Sequence, residues 1–261
     1  MIAASLAALL LAHLLGDFIF QSTKMAEKKA SGPLARRLPA LARHMGVHAL
    51  LLALLLPAPD AQGALAFVAI LASHFLIDAL KPRLRGTALR VFLADQAAHW
   101  LVICALALTL PDLWAHTLWM KTQSGLATYL PTVFALVAGA VLTVRVGGFV
   151  IGALMQPLAE RAPQGGLPKG GQLIGLLERA LIFVLILTGQ PQGIGFLIAA
   201  KSILRFEAKG GPDHNAANEY VIIGTLASFG WAIACAYLTL GLLAHLPPIG
   251  IPALGIPQHS P

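Results

Sequence analysis

The chain has 261 residues, 57% of them hydrophobic and only 11% charged, with mean hydropathy +0.78 and a formal net charge of +7. A soluble domain carries roughly 25% charged residues, so the composition excludes an ordinary water-soluble domain and predicts an all-α, polytopic membrane helical bundle whose first partner is the lipid bilayer. The positive charge lies in short segments between apolar runs, where it sets topology; there is no nucleic-acid motif, and Cys104 and Cys235 both fall inside apolar runs and imply no disulfide framework.

Eight apolar runs read as membrane spans, at about 2–20, 44–57, 63–80, 93–110, 128–153, 173–189, 193–208 and 219–243. A spanning helix needs roughly 20 apolar residues, so the second, sixth and seventh runs must tilt, re-enter or draw on their flanks. The first run has no basic stretch before it and is expected as a retained helix, not a cleaved signal. The organisation that follows is a four-helix unit over 1–110, an outer loop and fifth helix over 111–153, and a Pro/Gly-rich cytoplasmic linker over 154–172. A three-helix unit over 173–244 and a Pro-rich tail over 245–261 complete it. The linker's Gly165-Gly166 and Gly170-Gly171 pairs are not a phosphate loop, because no Gly-Lys-Ser/Thr follows.

Charge fixes the orientation. With the N-terminus outside, segment 21–43 brings Lys24, Lys28, Lys29, Arg36, Arg37 and Arg43 to the cytoplasmic side, and segment 81–92 brings Lys81, Arg83, Arg85 and Arg90. Arg145, Arg161, Lys169 and Arg179, then Lys201, Arg205 and Lys209, follow on the same side, leaving Lys121 outside. This matches the positive-inside rule and predicts a bacterial inner-membrane protein, multi-pass, with both termini outside.

The chemistry is concentrated in four pairs spaced i,i+4: His13 and Asp17, His44 and His48, His74 and Asp78, Asp95 and His99. Such pairs share a helix face, and the topology puts all four at the cytoplasmic end of the bundle. Two successive His-x-x-x-Asp hairpins make a weak internal repeat, consistent with a four-helix unit holding a site in its core. Imidazole and carboxylate without thiolate suit zinc, manganese or iron, and eight donors exceed one tetrahedral site, so one or two divalent ions are expected. Gln21 and Gln96 stand beside the set and can orient a ligand imidazole. Asp17, Asp78 and Asp95 are the candidate catalytic carboxylates where they are not ligands. A simpler reading stands beside this one: a lone membrane histidine commonly bonds helix to helix, Asp95 suits a helix N-terminus, and Asp78 can pair with Lys81 or Arg83. In the second half, Lys201 and Arg205 share a helix face and, with Lys81, can hold phosphate or carboxylate; as topology markers they need no substrate at all.

His13-Leu-Leu-Gly-Asp17-Phe-x-x-Gln21, His74-Phe-Leu-Ile-Asp78-Ala-Leu-Lys81 and Asp95-Gln96-x-x-His99 resemble a family of bacterial inner-membrane proteins known only as a domain of unknown function. The resemblance covers roughly residues 5–110; the segments 200–206 and 219–225 look like the C-terminal half of its longer members. It implies no established reaction. A looser likeness to membrane-bound metal-dependent hydrolases rests on His/Asp motifs at inner helix ends, but the chain lacks their His-Arg and Thr-His-Ser motifs.

Three functions compete. A metal-dependent hydrolase at the cytoplasmic leaflet would act on an anionic, lipid-like or phosphorylated amphiphile. A di-iron oxygenase or desaturase would also use His-rich helix ends, and His44-x-x-x-His48 fits, but no His-x-x-His-His follows. A metal-ion or proton transporter needs polar groups at several depths, whereas the outer halves of these helices are almost uncharged. The one-sided placement favours the hydrolase; substrate and oligomeric state are not encoded in any motif.

Overall fold

A computed structural model of the chain describes residues 1–122, 125–161, 167, 169–206 and 212–254; the side chains of residues 161, 203–206, 212–215 and 254 lie outside that description. Among the described residues every regular element is helical. They divide into two compact units, Met1–Ala138 with Leu242–Ile249, and Gly139–Gly241 with Gly250–Pro261.

The first unit is built on α1 (Ile2–Phe18), α3 (Leu34–Leu55), α4 (Ala61–Leu80) and α5 (Ala88–Thr109). α1 packs on α3 and α5, and α4 closes the ring against the same two. α1 can be enclosed because it is lined with small residues, Ala4, Ala7, Ala8, Ala12 and Gly16, all buried. Its Leu9 and Ala12 meet Leu51, Leu52, Ile70 and Ile103 in a common apolar core. The opposite faces of the surrounding helices carry exposed leucines such as Leu50, Leu65, Leu76 and Leu101, an outer surface suited to hydrocarbon. Side-chain caps start the helices where the sequence offers an oxygen: Ser22 accepts from Met25 N at 3.2 Å at the head of α2 (Thr23–Ala30), Asp60 from Gly63 N at 2.8 Å for α4, and Thr87 from Arg90 N at 3.3 Å for α5. At the far end of the unit the one-turn α6 (Leu118–Lys121) is tied down by Leu118 N donating to Pro57 O and Trp119 Nε1 to Leu54 O.

The second helix of the sequence reading begins ten residues earlier than expected, at Leu34 and not at 44. Apart from Pro39, which the helix accommodates, the Arg-bearing stretch 34–43 is made of good helix formers, and it buries Arg37, Ala40 and Leu41, so the charges disguise an amphipathic first half. His44 therefore lies inside α3. Asp95 likewise lies inside α5, which starts at Ala88.

The second unit takes up the end of α7 (Gly125–Val141), the π-helical turn Leu142–Val146, α8 (Gly147–Met155), α9 (Gly170–Leu187), α10 (Gly193–Phe206) and α11 (Pro212–Leu243). Two carbonyls of the π turn, both facing the Gly147 N–H, take side-chain donors as well: Trp231 Nε1 donates to Leu142 O at 3.1 Å, and Arg179 donates to Val144 O through Nε at 3.2 Å and Nη2 at 3.1 Å. Arg179 is a buried mid-helix residue of α9, not a loop charge as the topology reading had it. Of the expected linker 154–172, Gln156–Arg161 forms a 3-10 turn and α9 begins at Gly170, while 162–166 and 168 lie outside the described residues. In the tail, residues 255–261, with His259, also lie outside them.

Among the described residues each of the eight apolar runs is mostly helical. Six helices among the described residues are long and apolar enough to cross a membrane: Leu34–Leu55, Ala61–Arg83, Ala88–Thr109, Gly125–Glu160, Gly170–Leu187 and Ala216–Leu243. α1 meets the same test only together with α2, from which it is bent by 89°, and Gly193–Ser202 of α10 is shorter.

Candidate metal centre

The i,i+4 pairs do converge. His13 and Asp17 at the end of α1, His44 and His48 in α3, His74 and Asp78 at the end of α4, and Asp95 and His99 in α5 are all buried. Five imidazoles form one cluster of mostly tilted rings: the ring centroids of His48 and His74 are 3.9 Å apart, His74 and His99 4.2 Å, His44 and His48 4.5 Å, and His13 and His99 4.9 Å.

Asp17 is the hub. Its Oδ1 lies 3.0 Å from His44 Nε2, 3.1 Å from His48 Nε2 and 3.4 Å from His74 Nε2, and the Nε2 atoms of His44 and His74 are 3.1 Å apart. A tetrahedral ion with ligands at about 2.0–2.1 Å has edges of about 3.3 Å. These four separations are close to tetrahedral edges, and the ligand atoms of all four residues lie within 4.8 Å of one another. The approach of His48 depends on Gly16: a Cβ there would come within 2.4 Å of the His48 ring.

The other four residues play different parts. Lys81 Nζ donates to Asp95 Oδ2 at 2.7 Å and Gln96 Nε2 donates to the same oxygen at 3.1 Å, turning the Asp95 carboxylate to that side. This orients the Gln96 amide, so its Oε1 accepts from His13 Nε2 at 3.1 Å and His13 Nδ1 is left with its lone pair. His99 Nδ1 donates to Asp95 O at 2.9 Å, because a carbonyl oxygen only accepts; His99 Nε2 is then a bare base. Both of those free nitrogens are buried and unpartnered, and both rings line a small cavity roofed by Leu9, Ile70 and Ile103. Asp78 is paired with Lys29 Nζ, while its Oδ2 lies 3.5 Å from His44 Nε2 and 3.7 Å from His74 Nε2. The donor groupings in reach of a cation are Asp17, His44, His48 and His74; His13, Asp17 and His99; and His74, Asp78 and His99.

Gln96 thus touches a site imidazole, whereas Gln21 Nε2 donates to the backbone of Asp17 at 3.4 Å. Lys81 is spent on Asp95. In the second unit Lys201 donates to Glu178 Oε2 at 2.8 Å, and the side chain of Arg205 lies outside the described residues. The sequence reading gave Lys29 and Arg37 to topology alone. The structure buries both: Arg37 donates from Nε to Lys29 O, from Nη2 to Asp78 O at 2.9 Å, and from Nη1 and Nη2 to Ala79 O at 3.1 Å. The expected partner of Asp78, Lys81 or Arg83, is replaced by a residue 49 positions away, a distance that no local periodicity reveals.

Residues 5–127, which hold all four i,i+4 pairs, match the family described as "Protein of unknown function (DUF3307)". The match spans the four-helix unit. No curated protein and no solved structure matches the chain.

Proposed function

We propose that the chain is a multi-pass membrane metalloenzyme, with a divalent cation held by Asp17, His44, His48 and His74 and a hydrolytic activity on an anionic amphiphile at the cytoplasmic leaflet. The observation that carries it is the crowding on Asp17 Oδ1. One carboxylate oxygen offers about two lone-pair sites, yet three Nε2 atoms approach it within 3.4 Å, and two of these, on His44 and His74, are 3.1 Å from each other. Hydrogen bonding alone satisfies them only by sharing the one His44 Nε2–H between Asp17 Oδ1 and a His74 Nε2 acceptor, with His48 as the second donor; a cation lets all four atoms point their lone pairs at one centre.

Bound there, zinc, manganese or iron would supply a Lewis acid and a nucleophile at neutral pH. The protein's own contribution is the adjoining pair of buried bases. His99 Nε2 and His13 Nδ1 keep free lone pairs beside the cavity, fixed by Asp95 O and by the Lys81–Asp95–Gln96 chain. They can take up or return a proton within the site. Basic residues at the ends of α2 and α4 and the start of α3 favour an anionic substrate and support a site on the cytoplasmic side, in a topology of eight spans with both termini outside.

The test is metal content and turnover on protein purified in detergent. Wild type should carry metal and release phosphate from lipid phosphomonoesters. Asp17→Asn should lose both, and His99→Gln should keep metal and lose turnover. Wild type with no affinity for zinc, manganese or iron overturns the proposal.

A further inference from the structure

We infer that Lys29 occupies the place of a second cation and keeps the centre mononuclear. The inference rests on the metal reading above and fixes its nuclearity. His74, Asp78 and His99 form a second donor group, with one ligand atom of each lying within 4.8 Å of the others. His99 Nε2 is buried there without a partner, on a residue 3% exposed. A dinuclear site would be expected to use this group. Instead, the ammonium of Lys29 sits on Asp78 Oδ2, the oxygen that faces His44 Nε2 and His74 Nε2.

The lysine is built in. It is 8% exposed, at the last turn of α2, and its backbone carbonyl is gripped by Arg37, itself 5% exposed. The same guanidinium caps the carbonyls of Asp78 and Ala79 at the end of α4, where helix carbonyls have no intrahelical donor. One arginine therefore holds the lysine's main chain and the aspartate's main chain together, and the ion pair is set by the fold, not by a mobile surface chain.

Charge argues the same way. Asp17 and Asp78 are the carboxylates facing the imidazoles. These two carboxylates, Lys29 and one divalent ion sum to a single net positive charge, to which the buried Arg37 adds one more, and a second divalent ion would add two further charges in a low-dielectric setting, where uncompensated charge is costly. His74 would also have to serve two ions at once, since its Nε2 faces both Asp17 and Asp78.

The experiment loads purified full-length protein with manganese, counts ions per chain by elemental analysis and records the EPR spectrum. Wild type should hold one ion with an isolated-ion spectrum. Lys29→Met keeps the length of the chain but removes its charge, and should hold two, with a spin-coupled spectrum. Lys29→Met with Asp78→Asn should return to one. One ion in both wild type and Lys29→Met overturns this inference and leaves the metal reading standing; two ions in wild type do the same. No ion in any of them overturns both. Single-ion binding by the double variant shows that the fold survives the substitutions.

Discussion

Adding one methyl group at Gly16 should disable the centre. An alanine Cβ there would lie 2.4 Å from Cε1 and Nε2 of His48 and 2.9 Å from its Nδ1, where ordinary contact begins at 3.4 Å. The ring has nowhere to retreat, because the His74 and His44 rings stand 3.9 and 4.5 Å away, centroid to centroid, and His48 is 1% exposed. Overpacking of this kind costs about 1–3 kcal/mol. If the strain is relieved by pushing Nε2 off Asp17, the same energy reappears as weaker metal binding, about 5- to 150-fold at roughly tenfold per 1.4 kcal/mol. The assay is competition against a zinc chelator of known affinity, with thermal unfolding in detergent alongside. Gly46→Ala is the control: it lies in the middle of α3, the helix that carries His48, and nothing is within 4 Å of its would-be Cβ, so it should bind zinc as wild type does and unfold no earlier, alanine being the better helix former. Wild-type zinc affinity and melting in Gly16→Ala would refute the packing described for His48.

Three further outcomes are expected. Arg179→Met should destabilise the second unit by ~1.5–3 kcal/mol, the range for buried bonds to a charged group, because it strips the donors from Val144 O and Ser228 Oγ; unchanged unfolding in denaturant would contradict this. The carboxyl of Asp60 is held below its ordinary value of 3.8, first by the Gly63 backbone N–H and then by His116. A depressed folded-state value stabilises above the unfolded-state value and is lost as pH falls through the folded one, so the melting gap between wild type and Asp60→Ala should be present at pH 7 and shrink below pH 4, and a gap independent of pH would refute it. In a background with Cys104 and Cys235 replaced by alanine, cysteines at positions 28 and 121 should react with an impermeant thiol reagent from opposite sides of the membrane; reaction from one side for both would sink the proposed topology.

The site was legible in the sequence to the extent that it obeys helical period. His13 with Asp17, His44 with His48 and His74 with Asp78 announce their shared faces by the i,i+4 spacing, and basic loops set them at one level. What the period cannot give is rotation about the helix axis relative to a partner. Asp95 has the same spacing to His99 as the others, yet its carboxylate is drawn to Lys81 and Gln96. Lys29 and Arg37 looked like topology charges because their partners lie some 40 to 50 positions along the chain. Gly16 carries no signal at all until a ring from another helix fills the space its missing Cβ leaves. The early start of α3 was hidden because a helix whose first half is basic and second half apolar changes composition without changing conformation. Arg179 resembles a loop charge for the converse reason: a cation in an apolar run looks like an end, whereas Val144 O of the π turn and Ser228 Oγ hold it in mid-helix.

The central claim is that three imidazoles and one carboxylate surround one cation, and X-ray absorption at the metal edge of zinc-loaded protein tests it most directly. The account predicts three imidazole nitrogens and one or two oxygens at about 2.0–2.1 Å, falling to two imidazoles in His48→Ala. An oxygen-only shell, or a spectrum unchanged by the loss of His48, would contradict it.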